Sequence, residues 1–465
     1  MSVARASVAS RLAAIAGDSH VSADPAQLAP YAIDGKAPAA VARPGSAEEA
    51  AEIVKFAAAE SLAIVATGAR TKLSIGMPPR EYDLALDMSR LDRVVAYDPG
   101  DLTLGVEAGI PLRTLAGVLA EQRQFLPLAP PFINRATAGG TIASGVDSPL
   151  RQFYGSARDY MLGMEFITGD GALVKSGGRV VKNVAGYDLH KLMIGALGTL
   201  GVITKINFRT FPLQELNQMF GAAFDSAADA LGMRNRIARS PLTPMTLDIL
   251  SPGADVLLSG EAAARVEANP RGASLPGGAL WIVAASFAGN ESVLERYEEE
   301  LRGMADASSA VDAAVLDGEA SSNALSRVRE FVPTALESSP AATIVKIGVL
   351  PARMKEILEA AARAAEANSL PWAALARGVG VIYFALLPAE RGEEARLGVT
   401  RAADAILSAS SALGGHATIP WCPGEWKSAL AVWGRARGDF DAMDNVKKAF
   451  DPRGVFSPGR FVGGL

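Results

Sequence analysis

Residues 62–66, Leu-Ala-Ile-Val-Ala, form a compact apolar run that empties directly into Thr67-Gly68-Ala69-Arg70-Thr71-Lys72-Leu73-Ser74-Ile75-Gly76. An uninterrupted apolar run of this length reads as a strand buried on both faces, so the rest of the chain must supply layers to cover it. One layer is encoded immediately upstream. Pro44-Gly45 closes a short apolar stretch that starts at Val41, and Ser46 with Glu49 three residues on is a capping box opening a helix through Glu60. An α/β unit is therefore predicted, and the loop leaving its strand is a natural position for a ligand.

Further strands are predicted over 84–87, 93–97 and 102–108, followed by a helix that Gly109 and Pro111 start and that runs to about Arg123. Residues 161–168 alternate and break at Gly169-Asp170-Gly171, a hairpin signature returning through 172–176. Past Phe211-Pro212 the pattern becomes strand then helix: 280–287 before 292–305, and 343–350 before 354–367. A Ser/Ala/Gly-rich connection is expected near 308–322. From Gly414 the texture changes again, with Pro420-Trp421-Cys422-Pro423, a helix around 442–450 and a turn-rich end. The expected organisation is α+β: residues 1–214, residues 215–410 as a separate α+β domain, and residues 411–465 folding back on the first.

Length and composition narrow the function. With 465 residues the chain exceeds one ordinary core and can bury a large cofactor. The 45 basic and 50 acidic residues give a formal charge of -5 with no long block of one sign, so nucleic acid is not the expected partner. Cys422 is the sole cysteine, which allows no internal disulfide and no resident iron–sulfur cluster; a cytoplasmic location fits. Uncharged stretches at 272–290 and 405–424 are broken by Pro, Gly, Ser and Asn, so no membrane span is expected, and residues 1–16 read as a short amphipathic helix.

A second glycine-bearing loop, Thr137-Ala138-Gly139-Gly140-Thr141, lies among prolines and glycines between Pro127 and Gly145. Two such loops can bring backbone N–H groups to a pyrophosphate, because glycine admits close approach of the main chain. Ordinary turn glycines give the same spacing, and the residues alone leave both readings open. The dinucleotide fingerprint of the Rossmann fold, the Walker A loop and the HExxH zinc pair are all absent.

The segment KNVAGYDLHKLMIGALGTLGVIT, residues 182–204, resembles the hallmark stretch of the FAD-binding subunits of glycolate oxidase. These belong to the p-cresol methylhydroxylase and vanillyl-alcohol oxidase superfamily. The loop 67–76, the stretch 102–111, TAGGTIASG at 137–145, Tyr154-Gly155-Ser156-Ala157-Arg158-Asp159 and the C-terminal DPRGVFSPGR point the same way, in the order the superfamily uses. The resemblance implies a two-subdomain PCMH-type FAD-binding domain, an inserted α+β cap domain and a C-terminal segment returning to the FAD domain.

It also implies roles. Thr67, Gly68, Ala69, Arg70, Thr71, Lys72 and Leu73 wrap the pyrophosphate, while Thr137, Ala138, Gly139, Gly140, Thr141 and Ser144 hold the phosphates and the flavin edge. Ile203 packs near the adenine, with Gly201 and Arg460 also on the cofactor. Tyr154, Gly155 and Arg158 lie beside the flavin, with an Arg158–Asp159 ion pair holding the loop as the alternative. Asn183, Gly186, Tyr187 and Asp188 are explained as well by a tight turn and a cap into a helix at Leu189 as by a cofactor role.

Departures from the pattern matter. Many superfamily members attach the flavin to a histidine, and neither loop contains one, so noncovalent FAD is implied. The three histidines, His20, His190 and His416, are far apart, and no metal site is inferred. His190 reads as structural. His416, in Gly414-Gly415-His416-Ala417-Thr418, is either the catalytic base or a hydrogen-bonded residue at a strand end. The expected enzyme is an FAD-linked oxidase that takes two electrons from a small 2-hydroxy acid, glycolate or D-lactate, for a partner protein. The alternative is a noncatalytic FAD-binding relay or scaffold subunit. Either reading implies a paralogous flavoprotein subunit and an iron–sulfur subunit as partners.

Overall fold

The computed structural model describes residues 2–179, 186–214, 216–260, 280–435 and 438–465. They form two units: residues 1–146, 156–213 and 436–465 make the first, and residues 147–155 and 214–435 the second. Residues 182–185 of the diagnostic stretch, Asn183 included, lie outside the described residues.

Among the described residues the first unit holds two main sheets and a two-stranded pair. In one, β1 (Val21–Ser22), β2 (Ala40–Ala42), β3 (Ile64–Thr67) and β4 (Leu84–Asp87) run in the order β1-β2-β4-β3, with β2, β4 and β3 mutually parallel. The expected helix is present as Ala47–Ala59. Ser46 accepts from the Glu49 N–H at 3.1 Å, while the Glu49 carboxylate accepts from the Gly45 N–H at 2.7 Å. Its apolar face, with Ile53, Val54 and Ala57, packs against Leu84 and Leu86. The C-terminal segment completes the open edge, since the Ile64 N–H donates to the Val455 carbonyl and the Ser457 N–H to the Ile64 carbonyl.

The second sheet contains β5 (Val94–Asp98), β6 (Thr103–Glu107), β8 (Met161–Ile167), β9 (Leu173–Gly177) and β10 (Val202–Arg209), ordered β5-β6-β10-β8-β9 and antiparallel throughout. Two short strands, β7 (Gln124–Phe125) and β11 (Phe211–Pro212), pair beside it. The hairpin expected at Gly169–Gly171 joins β8 to β9.

Among the described residues the second unit holds one antiparallel sheet of eight strands: β12 (Leu216–Phe224), β13 (Thr246–Leu250), β14 (Trp281–Gly289), β15 (Asp312–Asp317), β16 (Thr343–Gly348), β17 (Trp372–Arg377), β18 (Val381–Leu386) and β19 (His416–Trp421). Their order is β15-β12-β14-β13-β17-β18-β16-β19. Two expectations are corrected here. Residues 308–322, read as a connection, contain β15 and the start of the helix Gly318–Arg329: Ala313 and Ala314 pair with Ala222 and Gly221, where small residues suffice to pack an edge strand. Residues 411–435, assigned to the C-terminal return, stay in the second unit because β19 pairs with β16, and the return begins at residue 436. Among the described residues no helix is long and apolar enough to cross a membrane.

Candidate functional site

The chain leaves β3 through a turn in which Arg70 takes a φ of +61°, a left-handed conformation uncommon outside glycine. Two groups hold it from below. The Arg70 guanidinium reaches Asp87 Oδ2 at 3.3 Å and sits 4.6 Å from the Tyr31 ring centroid. Buried Asp87 also accepts from the Tyr31 hydroxyl at 2.5 Å and the Ser89 N–H at 3.0 Å.

Arg460 secures the far end of the loop. Its buried guanidinium donates to the carbonyls of Leu73 at 2.5 Å and Ile75 at 2.7 Å, and the Met77 N–H donates to the Arg460 carbonyl at 3.0 Å. Burial pulls the Arg460 pKa down to about 10. With the loop carbonyls engaged in this way, the N–H groups of Ala69, Arg70 and Thr71 donate to no group among the described residues.

The second loop is built differently. Thr137 caps the helix Ala138–Ser144, accepting from the Gly140 N–H at 3.4 Å. The N–H of Ala138 goes to the Ile110 carbonyl, that of Gly139 to Ala108 at 2.7 Å, and that of Thr141 to Thr137. Four successive donors are thus spent inside the protein, and the expectation that both loops offer N–H groups to phosphates is corrected: only the first loop has them to spare. The glycines of the second loop serve close packing. A Cβ on Gly68 would overlap Thr137 Oγ1, so the two loops touch only because Gly68 lacks a side chain, and one on Gly139 would lie 2.7 Å from the Ala108 Cβ, so the second loop packs on the end of β6 for the same reason.

Between the loops is a cleft open to solvent. Thr67 to Leu73, Thr137, Gly139, Gly140, Ser144, Gly201, Ile203 and Arg460 all line it, so most of the expected cofactor residues come together. Ala138 and Thr141 are buried and do not line it. Nor do Tyr154, Gly155 and Arg158, and the first two belong to the second unit. Arg158 donates to the Lys191 carbonyl at 3.2 Å, while Asp159 accepts from the Ser156 N–H and hydroxyl as a cap, so the expected pair between them is not made. The helix expected at Leu189 is a four-residue 3-10 turn, Leu189–Leu192, and Asp188 pairs with Lys191 at 2.6 Å. His190 is buried with Nδ1 2.9 Å from Ser176 Oγ, and burial holds its pKa below the usual histidine value. His416 begins β19 in the second unit.

Sequence reasoning missed the apolar wall of the cleft, formed by Ala66, Met88, Ala108, Ala143 and Val202. The signal available was the end of each buried strand: Ala66 and Ala108 are where predicted strands give way to loops. An apolar wall, three free N–H donors, the cations Arg70 and Lys72 and the buried, unpartnered Thr67 Oγ1 together suit a dinucleotide with a flat ring system and a pyrophosphate.

A two-sheet unit with this cleft, joined to a separate antiparallel-sheet unit, defines a flavoprotein of the FAD-binding oxidase type. The sequence matches the FAD binding domain family over residues 38–177 and the C-terminal domain of FAD linked oxidases over residues 213–461. The chain belongs to the FAD-linked oxidase family, as an oxidoreductase with FAD as cofactor.

Among curated relatives, it is 26% identical to glycolate oxidase subunit GlcD of Bacillus subtilis, covering 91% of this chain and 88% of the relative. D-lactate dehydrogenase of Archaeoglobus fulgidus is also 26% identical, over 91% of each chain. Glycolate oxidase subunit GlcE of Escherichia coli reaches 40% identity over 162 residues, 35% of this chain and 46% of the relative. The fold is similar to that of p-cresol methylhydroxylase, with a TM-score of 0.78 at 16% identity, covering 98% of this chain and 96% of the other. It is also similar to that of 4-ethylphenol oxidase of Gulosibacter chungangensis, with a TM-score of 0.76 at 17% identity over 98% and 96%.

Proposed function

We propose that this chain oxidises a small 2-hydroxy acid of the glycolate or D-lactate type and passes the electrons to a partner protein. The observation that carries the reading is the alignment with a glycolate oxidase subunit and a D-lactate dehydrogenase across 91% of the chain, spanning both units. Bound FAD supplies the two-electron acceptor. The free N–H groups of residues 69–71 hold its pyrophosphate, Arg460 keeps their loop in position, and Ala108 and Ile203 exclude water from the ring. His416 is the base that takes the substrate hydroxyl proton, having a side chain whose ordinary pKa suits that task near neutrality.

The test is anaerobic mixing of the oxidised protein with glycolate or D-lactate. The flavin band should bleach, and His416→Ala should slow bleaching by about 10²- to 10⁴-fold while FAD stays bound. An unchanged rate removes His416 from catalysis. Because neither loop contains a histidine, denaturation should release all flavin as free FAD; flavin retained on the unfolded chain would contradict noncovalent binding.

The likeness to the GlcE subunit favours a second reading, an FAD-binding relay or scaffold subunit beside a paralogous flavoprotein. An iron–sulfur subunit belongs to either version, since Cys422 alone cannot hold a cluster. Flavin that stays oxidised with both acids in the isolated chain, yet bleaches once co-purified partners are present, would select the relay.

A further inference from the structure

The sheet of the second unit carries a polar seam on one face. Strand register places Asp248 of β13 opposite Arg377 of β17, Tyr383 of β18 opposite Lys346 of β16, and Lys346 opposite Thr418 of β19. Side chains two apart share a face, so His416, two residues before Thr418, and Arg377, two after the Leu375 that faces Tyr383, join the same row. The segment Asp147–Gly155 packs on this unit, and Asp147 interacts electrostatically with Asp248, Lys346, Arg377 and Tyr383 alike. The opposite face is ordinary core, with Ile347, Ile382, Phe384 and Ala376 buried.

Buried polar atoms without partners are concentrated here. Arg377 gives one nitrogen to Asp248 Oδ1 at 2.8 Å, leaving its Nε and Asp248 Oδ2 unpaired. The Tyr383 hydroxyl, on a residue 2% exposed, faces the Asp147 backbone N–H but donates to no group among the described residues, and Asp147, 7% exposed, uses Oδ1 on Arg151 and leaves Oδ2 free. Half-buried Lys346 makes no hydrogen bond or ion pair among the described residues, its ammonium lying 5.9 Å from the Tyr383 ring centroid. Each such atom is costly when dry, so a cluster of them points to a polar group that completes their hydrogen bonds. The complement can be read from the atoms: donors on Arg377, Tyr383 and Lys346 call for an anion, and the free Asp147 oxygen calls for a hydroxyl. The basic side chains Arg151, Lys346 and Arg377 outnumber the carboxylates Asp147 and Asp248.

We propose that this seam binds a small acid through its carboxylate, held by Lys346, Tyr383 and Arg377, with the adjacent hydroxyl donating to Asp147. Asp248 is a positioning residue that fixes the Arg377 fork. The inference rests on the 2-hydroxy-acid reading above and names the groups that would select that class, with His416 on the same face.

Equilibrium binding to the FAD-loaded full chain tests it without any turnover. The probe is 2-hydroxy-2-methylpropanoate, which has the carboxylate and hydroxyl but no α-hydrogen to lose; 2-methylpropanoate, lacking the hydroxyl, is its control. Calorimetry should show the hydroxy acid binding more tightly than its control. Lys346→Met should weaken it by about tenfold or more, the loss expected for a hydrogen bond to a charged group. Tyr383→Phe, which keeps the packing and guards against a misfolded Lys346 variant, should weaken it by about fivefold with an unchanged melting temperature. Asp147→Asn should erase the preference for the hydroxyl. No binding to the wild-type chain, or equal affinity in the Lys346 and Tyr383 variants, overturns the site. If the probe binds as expected but no 2-hydroxy acid bleaches the flavin, the oxidase reading fails and the site stands.

Discussion

Which glycine matters can be decided residue by residue. Gly139 and Gly140 are adjacent and look equivalent in sequence, yet a Cβ on Gly139 would meet the Ala108 Cβ at 2.7 Å and its carbonyl at 2.9 Å, fixed atoms of a buried strand end. At Gly140 the nearest atom is Thr137 Oγ1 at 3.0 Å, which can yield by a small side-chain rotation. Gly139→Ala should therefore cost about 1–3 kcal/mol, the range for overpacking, and release most of the FAD. Gly140→Ala should retain FAD and melt within a few degrees of the wild type. Flavin content and melting temperature of the two variants check this, and equal behaviour would refute the packing account. The sequence made the loops legible because glycine runs after an apolar strand are a local pattern. It could not show that the N–H groups of Ala138 and Gly139 are already used, since their acceptors, the carbonyls of Ile110 and Ala108, lie far upstream in the chain.

At the scale of elements, the 3-10 turn Leu189–Leu192 is tied to β9 through His190 and Ser176. Burial dominates the His190 shift and lowers its pKa, with Lys191 and Arg158 acting in the same sense and Asp188 opposing them. A base whose folded pKa lies below its ordinary value of 6.5 binds protons more readily when unfolded. Its contribution to stability is thus complete above that value, falls as pH drops through the window below it, and levels off beneath the folded pKa. The wild type should lose melting temperature as pH falls below about 6.5 more steeply than His190→Gln, in which nothing titrates at that position. Parallel profiles would show that His190 does not carry the dependence. Elements with their own signal were readable: the Ser46–Glu49 cap predicted its helix, and the alternation at 161–168 predicted β8. β15 was not, because an Ala-rich strand has no hydrophobic period and is specified by its partner β12. The seam was missed for a related reason: Asp248, Lys346, Arg377 and Tyr383 are scattered over 136 positions, and only register assembles them.

At the scale of the whole molecule, the FAD-binding unit is assembled from three chain segments, and the last thirty residues, 436–465, are as much part of it as the loops. Three ties make the point. The strand edge at Ile64 is completed by Val455 and Ser457, Arg460 holds the carbonyls of the first loop, and Lys447 donates to the Thr199 carbonyl at 2.8 Å, to Asp451 at 2.6 Å and to the Phe456 carbonyl at 2.9 Å. Removing the segment would expose the Phe456 site of the core and leave the carbonyls of Leu73, Ile75 and Thr199 without their donors. Losing these hydrogen bonds together with the apolar contacts that Val455 and Phe456 give the core removes a large share of the stability of a typical domain. A chain ending at Arg435 should therefore fail to retain FAD, although it keeps every residue matched to the FAD binding domain. Co-expression of residues 436–465 as a separate peptide should restore part of the flavin, because the missing contacts are noncovalent. If the truncated chain is yellow and folds as the full chain does, the C-terminal return is an accessory, and Arg460 has no part in shaping the first loop.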